Sequence, residues 1–355
     1  MQRDNGSRRD PRVAFVGAGA MGSYVGARIA ATGVDVTLID PWPDHIAAIK
    51  ERGVDLGGTQ GSANVRVQAL HIHEVQSLVA RPVDIAFVSV KSYDTEWATQ
   101  LIKQYLAPRG FVVSLQNCIN EERIARIVGW GKTLGCIAST IGVSLERPGK
   151  VMRTYKPGGA AYTVFRVGEV HGRTTERVQQ LAAMLSAVDS TAITNDLWGE
   201  RWSKLVANSM HNGLAAATGL GHTGVYGQPG PRSVAIRLGG EAVRVGRALG
   251  FNLESIRGIP ADALEAGAYG DASALRIVGD VIAGWMTRMT DEGRPSTAQD
   301  ILKGRRTEID FINGEVVAKA QELGIPVPTQ SAILQLVRRV EAGELRPGVE
   351  HLAGL

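Results

Sequence analysis

The chain has 355 residues, 44% of them hydrophobic and 21% charged, which is room for two cored domains in an ordinary globular composition. Its 39 Lys and Arg against 35 Asp and Glu leave a formal charge of +4, too slight a bias to imply a nucleic-acid partner. Two cysteines, Cys118 and Cys136, make no disulfide framework, and no apolar run nears the ~20 residues that span a bilayer, so a reduced, cytoplasmic protein with no membrane partner is expected.

Residues 1–11 read as a flexible tail, rich in Arg but without the apolar stretch of a signal peptide. From 12 to 195, short β-branched runs alternate with helical segments. "RVAFVGAG" is a strand that runs into glycines. "MGSYVGARIAATG" is a helix closed near Gly33, and "VDVTLID" is a second strand. "VDIAFVSVK" and "GFVVSLQN" are continuous apolar runs of the kind that parallel sheets bury on both faces. This order predicts an α/β Rossmann domain over 12–195 with a doubly wound, mostly parallel sheet. After Trp198 the strand signal fades, and 196–345 is predicted as an all-α domain, with a tail over 346–355.

The first motif is Gly17-x-Gly19-x-x-Gly22, filled by Ala18, Ala20 and Met21, between a strand and a helix. Gly17 allows the tight turn, Gly19 lets backbone approach a pyrophosphate, and Gly22 lets helix and strand close together. The helix N-terminus then offers N–H groups to phosphates. Asp40 ends the second strand, where a carboxylate accepts the ribose 2′-OH and repels a 2′-phosphate. "PWPDH" after it supplies no Arg or Lys. NAD is therefore the expected cofactor, with NADP as the alternative; a plain loop carboxylate is the competing reading of Asp40. Lys91 in "SVKSYDT" and Asn117 in "SLQNCIN" follow the next two strands, at the edge where open α/β sheets bind ligands. Lys91 reads equally as a solvated lysine, and Asn117 also suits a turn.

In "RWSKLVANSMHNG", Lys204, Asn208 and Asn212 recur every four residues and form one polar stripe on an otherwise apolar helix. Burying such groups unpaired costs several kcal/mol, so the stripe faces water or a polar ligand. Glu200 at i−4 leaves an ordinary Glu–Lys pair open; the two amides favour a ligand with a carboxylate and a hydroxyl. In "RPSTAQDILKGRRTEIDFING", Pro295 and Ser296 resemble a helix start, and Ser296, Asp300, Gly304 and Glu308 again step by four, as if on one helix face. Ordinary capping competes with that reading.

These stretches, with "GAGAMG", "VSVKSYDT", "WSKLVANSMHNGLAAATG" and "STAQDILKGRRTEIDFINGEVVAKAQELGIPVPT", resemble the ketopantoate reductase (2-dehydropantoate 2-reductase) family over most of the chain. The resemblance implies a Rossmann domain followed by a helical one. It implies Lys204 as the catalytic acid, Asn117 between cofactor and substrate, and Asn208 and Asn212 on substrate oxygens. By the same resemblance Ser296 binds the substrate carboxylate, Glu308 orders the cofactor and the lysine side, and a further substrate contact falls on His222. The chain departs from the family pattern at Asp40, at Cys118 where the family has Asn-Gly, at Thr297 where it has Met, and in a segment, 252–290, that reads as longer than usual. A kept catalytic centre with an altered substrate pocket is therefore expected.

Other constellations carry less. "HIHE" puts His71 and His73 on one face of a predicted strand, but no third ligand is in view, so no metal is expected. His211 points about 100° away from the stripe and reads as packing. Cys118 lacks a base partner for nucleophilic work. The expected activity is nicotinamide-dependent reduction of a small 2-oxoacid, or the reverse oxidation of a 2-hydroxyacid. The alternatives are a β-hydroxyacid dehydrogenase-type enzyme and a non-catalytic dinucleotide sensor. A homodimer through the helical domain is expected because "VRVGRAL" and the C-terminal helices are apolar on more than one face.

Overall fold

The computed structural model describes residues 10–253, 255–287 and 294–355. Most of the expected tail 1–11, and residues 254 and 288–290 of the segment 252–290, lie outside them. The chain divides into two compact units between Leu197 and Trp198.

The first unit carries strands β1 (Val13–Val16), β2 (Val36–Asp40), β3 (Val54–Gly58), β4 (Ala63–Val65), β5 (Gln68–His71) and β6 (Val83–Val88). There follow β7 (Leu106–Ser114), β8 (Thr133–Ala138), β9 (Val143–Arg147), β10 (Lys150–Arg153), β11 (Phe165–Glu169) and β12 (Thr191–Ile193). Its helices are α1 (Ala20–Ala30), α2 (Pro43–Arg52), α3 (Thr95–Lys103), α4 (Glu121–Val128) and α5 (Glu176–Ser186). Eight strands form one sheet in the order β12-β11-β8-β7-β6-β1-β2-β5. All its pairs are parallel except β11 against β8. Alternation along β1 explains why both faces are covered. Val13 and Phe15 join a core with Tyr24, Val25 and Ile29 of α1 and with Leu181 and Leu185 of α5. Ala14 and Val16 join another with Ile102 of α3 and Ile124 of α4. Phe15 stacks on Phe87 of β6, ring centroids 4.4 Å apart. The chain leaves β1 for β2 and β5, then returns to β6 on the other side. The loop after β1 therefore sits at the topological switch point, where such sheets bind ligands.

A second sheet, β4-β3-β10-β9, was not anticipated from the sequence. Arg153 of β10 fastens it: its guanidinium is fully buried, ion-paired with the equally buried Asp189 ahead of β12, and it also donates to the Tyr24 hydroxyl of α1. Asp189 further accepts the Gly158 N–H at 2.9 Å. Breaking a buried pair strands an uncompensated charge.

The second unit is helical as expected: α6 (Leu197–Thr218, which opens on the last residue of the first unit), α7 (His222–Gly227), α8 (Pro229–Ala248), α9 (Ala261–Ala268) and α10 (Ala272–Met286). After these come α11 (Ser296–Leu302), α12 (Asn313–Leu323) and α13 (Pro328–Glu341). One two-residue hairpin, β13 (Ser255–Ile256) with β14 (Ile259–Pro260), interrupts it. Trp202 of α6 donates to the Ala242 carbonyl of α8 at 2.8 Å, over Gly246, where a Cβ would stand 2.2 Å from the indole nitrogen. The buried Glu241 of α8 accepts the Thr329 and Gln330 N–H groups at 3.0 and 2.9 Å, closing the N-terminus of α13 with a carboxylate. The expected tail 346–355 is not loose. Gly348 donates to the Ala217 carbonyl, a short 3₁₀ turn runs over Val349–Leu352, and Arg237 holds the carbonyl of Leu355. No described helix is long and apolar enough to cross a membrane.

Replacing Asp189 by Ala leaves Arg153 buried without its counter-charge. Stability should fall by about 3–5 kcal/mol in chemical denaturation. A loss below about 1 kcal/mol would mean that carbonyl groups alone satisfy the guanidinium.

Candidate active site

The turn after β1 is fixed by close approach. Gly17 adopts φ +99° and donates to the Ile39 carbonyl of β2 at 2.9 Å. A Cβ on Gly22 would meet the Gly17 carbonyl oxygen at 2.0 Å, so α1 can leave β1 at this angle only without a side chain there. Ser89, at the end of β6, donates to the same oxygen at 2.7 Å; sequence reading missed it. A Cβ on Gly19 would meet nothing within 4 Å, so the space above the first turn of α1 is open. Gly19 is the N-cap of α1, no side chain caps the helix, and no acidic residue stands in its first turn. Ala20 and Met21 open that turn, and their N–H groups are left to an anion. These features fit a dinucleotide pyrophosphate.

Asp40 ends β2 as the sequence suggested. Its carboxylate accepts the Trp42 N–H at 2.9 Å and lies within reach of the Ala18 N–H. Burial pushes its pKa up, against those two N–H groups and the nearby His45 and His71. Lys91 caps a short 3₁₀ turn, Ser92–Asp94, just after β6, and Asn117 follows β7. Both side chains are half-buried. Because β1, β6 and β7 are parallel neighbours, the glycine turn, Lys91 and Asn117 share one edge of the sheet. Asn117 accepts the Asn120 Nδ2–H at its carbonyl, 2.8 Å away. The next residue, Cys118, is buried at φ +65°. The loop thus keeps a left-handed backbone at the position where the family resemblance expects Gly.

In the second unit, Lys204, Asn208 and Asn212 line one stripe of the 22-residue α6. Lys204 and Asn208 are half-buried and Asn212 is 8% exposed, whereas the flanking Leu205, Val206, Met210 and Leu214 are at most 1% exposed. Among the described residues neither amide side chain makes a hydrogen bond. Gly213, next along, packs so closely that a Cβ would lie 2.7 Å from Asn313 Oδ1 and 2.9 Å from Ile309. This contact seats α6 against the segment that carries Glu308. That segment is held by the Thr307 N–H, which donates to Glu341 at 2.9 Å.

The four-step face predicted from Ser296 to Glu308 does not form. Helix α11 ends at Leu302, and Gly304 at φ +60° turns the chain out of it. Ser296 and Asp300 share the helix. Glu308, 4% exposed, instead starts a separate 3₁₀ turn over Ile309–Phe311. Thr297 is 1% exposed, with its hydroxyl unpartnered among the described residues. The "HIHE" strand is corrected too. β5 stops at His71, which caps a 3₁₀ helix over Ile72–Ala80, so His73 lies in that helix and the pair do not share a strand face. Among the described residues no group of three or more His, Cys, Asp or Glu is placed to hold a metal.

His222 opens α7 and stacks on His211 of α6, centroids 4.0 Å apart and planes within 4°. Tyr226 lies parallel to His211 at 5.4 Å, and Trp285 of α10 meets Tyr226 edge-on at 5.3 Å. Burial, then the neighbouring His222, holds His211 well below the usual imidazole pKa, so its ring is neutral.

Comparison with known proteins bears on both units. The family model described as ketopantoate reductase PanE/ApbA matches residues 13–164, and its C-terminal counterpart matches 196–341. The 2-dehydropantoate 2-reductase of Archaeoglobus fulgidus is 32% identical over 94% of this chain and 99% of its own; that of Pyrococcus horikoshii is 28% identical over 93% and 98%. The crystal structure of a PanE/ApbA family ketopantoate reductase from Ralstonia eutropha superposes with a TM-score of 0.75 at 29% identity, covering 94% of this chain and 99% of the other. A D-mandelate dehydrogenase in ternary complex with NADH and anilino(oxo)acetate shares the fold, with a TM-score of 0.78 at 21% identity and 94% and 98% coverage.

Left-handed backbone at a residue other than Gly costs about 1–2 kcal/mol, and a β-branched side chain suits it least. Cys118→Gly should stay within about 1 kcal/mol of the parent in chemical denaturation, since relief of strain offsets lost burial. Cys118→Val should lose about 2 kcal/mol or more. The reverse order would show that side-chain packing governs this position.

Proposed function

The chain belongs to the ketopantoate reductase family, and from that membership we propose that it reduces the keto group of a small 2-oxoacid, or oxidises the matching 2-hydroxyacid, with Lys204 as general acid and base. The oxidoreductase class comes with the family. The observation that carries the finer reading is the stripe on α6: an ammonium and two amides in line, the amides without a hydrogen bond among the described residues, flanked by the buried Leu205, Val206, Met210 and Leu214.

The residues divide the work. The N–H groups of the first turn of α1 and the open space at Gly19 would hold the pyrophosphate, and Asp40 would accept the ribose hydroxyl. Bound nicotinamide supplies or accepts the hydride. As the keto carbon is reduced, negative charge grows on its oxygen. The Lys204 ammonium stabilises that charge and donates a proton to the oxygen; in the oxidation, the neutral amine removes that proton. Asn208 and Asn212 orient substrate oxygens without adding charge, and Ser296 with Thr297 would bind the carboxylate. His222 would shape the substrate side, while Lys91, Asn117 and Glu308 would position cofactor and substrate. Asp40, with no basic residue in "PWPDH", favours NAD over NADP. A small-molecule acid is the partner in this reading, and a homodimer its expected assembly.

Two experiments test this. In a screen of 2-oxoacids with NADH, Lys204→Ala should lower kcat by about 10²–10⁴ while NADH binding stays within about threefold. Near-parental turnover would remove Lys204 from its role. Asp40→Arg should invert the cofactor preference, raising kcat/KM for NADPH relative to NADH by at least about tenfold, the ratio worth about 1.4 kcal/mol. An unmodified protein that already prefers NADPH would overturn the assignment of Asp40.

A further inference from the structure

A buried relay runs beneath the glycine turn. His45 of α2 is 1% exposed and Ser23 of α1 is fully buried. The Gly149 N–H, in the turn between β9 and β10, donates to His45 Nδ1 at 3.0 Å. A ring that accepts at Nδ1 carries its proton on Nε2 when neutral, and His45 Nε2 lies 3.1 Å from Ser23 Oγ. Ser23 in turn donates to the Ala18 carbonyl at 2.6 Å. Each donor and acceptor is therefore assigned: Gly149 N–H to His45, His45 N–H to Ser23, Ser23 O–H to Ala18. Burial holds His45 below its ordinary pKa, which keeps the ring neutral and this order intact. Ala18 is the middle residue of Gly17-Ala18-Gly19, and its own N–H is among the groups that favour the ionised form of Asp40. The Trp42 ring, two residues past Asp40, lies over the imidazole at 5.6 Å between centroids.

From this geometry we infer that His45 and Ser23 are positioning residues for the dinucleotide. They set the plane of the Ala18–Gly19 peptide and, with it, the direction of the Gly19 N–H and the approach of backbone to the pyrophosphate. The relay also explains why the second sheet is present beside the cofactor turn. Gly149 delivers its N–H from that sheet, at φ +76° and with a Cβ position only 3.2 Å from Ala48 of α2. A peptide plane held in advance by its carbonyl needs less reorganisation when an anion arrives, and preorganisation of that kind appears as affinity. The inference rests on the dinucleotide reading given above.

The test is NADH titration of the full chain, followed by protein fluorescence, with melting temperature and steady-state kinetics on the same variants. Ser23→Ala and His45→Leu should each weaken NADH binding by about tenfold, the equivalent of one lost buried hydrogen bond. KM for NADH should rise in step, with kcat at saturating NADH within about twofold. His45→Gln, whose side-chain amide can donate from nearly the place of Nε2, should recover most of the affinity that His45→Leu loses. A merely structural role would lower the melting temperature of the Leu and Gln variants alike and leave the affinity of the folded protein unchanged; that result overturns the inference. Should His45→Leu fail to fold, Ser23→Ala, which removes one atom, decides alone. Parent protein that binds neither NADH nor NADPH would bring down the dinucleotide reading itself. Parent binding with unchanged variants overturns the relay only.

Discussion

The first unit depends on a place where no side chain fits. Helix α1 leaves β1 with Gly22 pressed against the carbonyl of Gly17, a gap of 2.0 Å for any Cβ. That contact fixes the angle of the helix to the sheet, and the angle aims the first turn of α1 at the open space beside Gly19. Ser89 from β6 and the Ile39 carbonyl from β2 hold the same turn from either side. Elements that neighbour β1 in the sheet thus converge on one oxygen and one N–H, at the edge where strand order reverses.

The second unit spends its polarity differently. Most of its core polar groups are engaged: Asn313 donates from its Nδ2 to the Ser209 carbonyl and to Gln330, Gln330 donates to the Leu238 carbonyl, and Glu241 closes α13, while among the described residues Asn313 Oδ1 is buried without a partner. Against that background the side-chain amides of Asn208 and Asn212 stand out because, among the described residues, neither makes a hydrogen bond. A helix that satisfies its buried Ser209 on one side and leaves two amides in line on another is asymmetric in a way that packing alone does not require. That asymmetry lies inside the stretch that the family's C-terminal model matches, residues 196–341.

What the sequence showed followed from local rules. The glycine spacing reports a steric constraint on backbone, and the stripe on α6 reports helical period; both survive translation into three dimensions. The four-step pattern from Ser296 to Glu308 failed because spacing is blind to φ, and Gly304 turns left-handed inside it. "HIHE" alternates as a strand would, yet His71 caps a 3₁₀ helix, and the two readings share their first residue. The second sheet was hidden for another reason. Its strands are short, and its parallel pair, β3 with β10, joins Asp55 to Lys150 across a long separation that periodicity cannot see. Arg153 and Asp189, its buried fastening, look in sequence like any surface charges. Ser23 and His45 gave no signal either, because each is ordinary by type and only their separation in space is informative.

The segment 252–290 also gains a physical connection that the sequence could not show. Trp285 of α10 meets Tyr226 of α7 edge-on, Tyr226 lies parallel to His211, and His211 stacks on His222. Among the described residues both His211 ring nitrogens are buried without partners, so what holds the ring is stacking rather than hydrogen bonding. A neutral ring held only by its faces moves when its neighbours move. Since His211 immediately precedes Asn212 on α6, these ring contacts join α10 to the helix that carries the polar stripe.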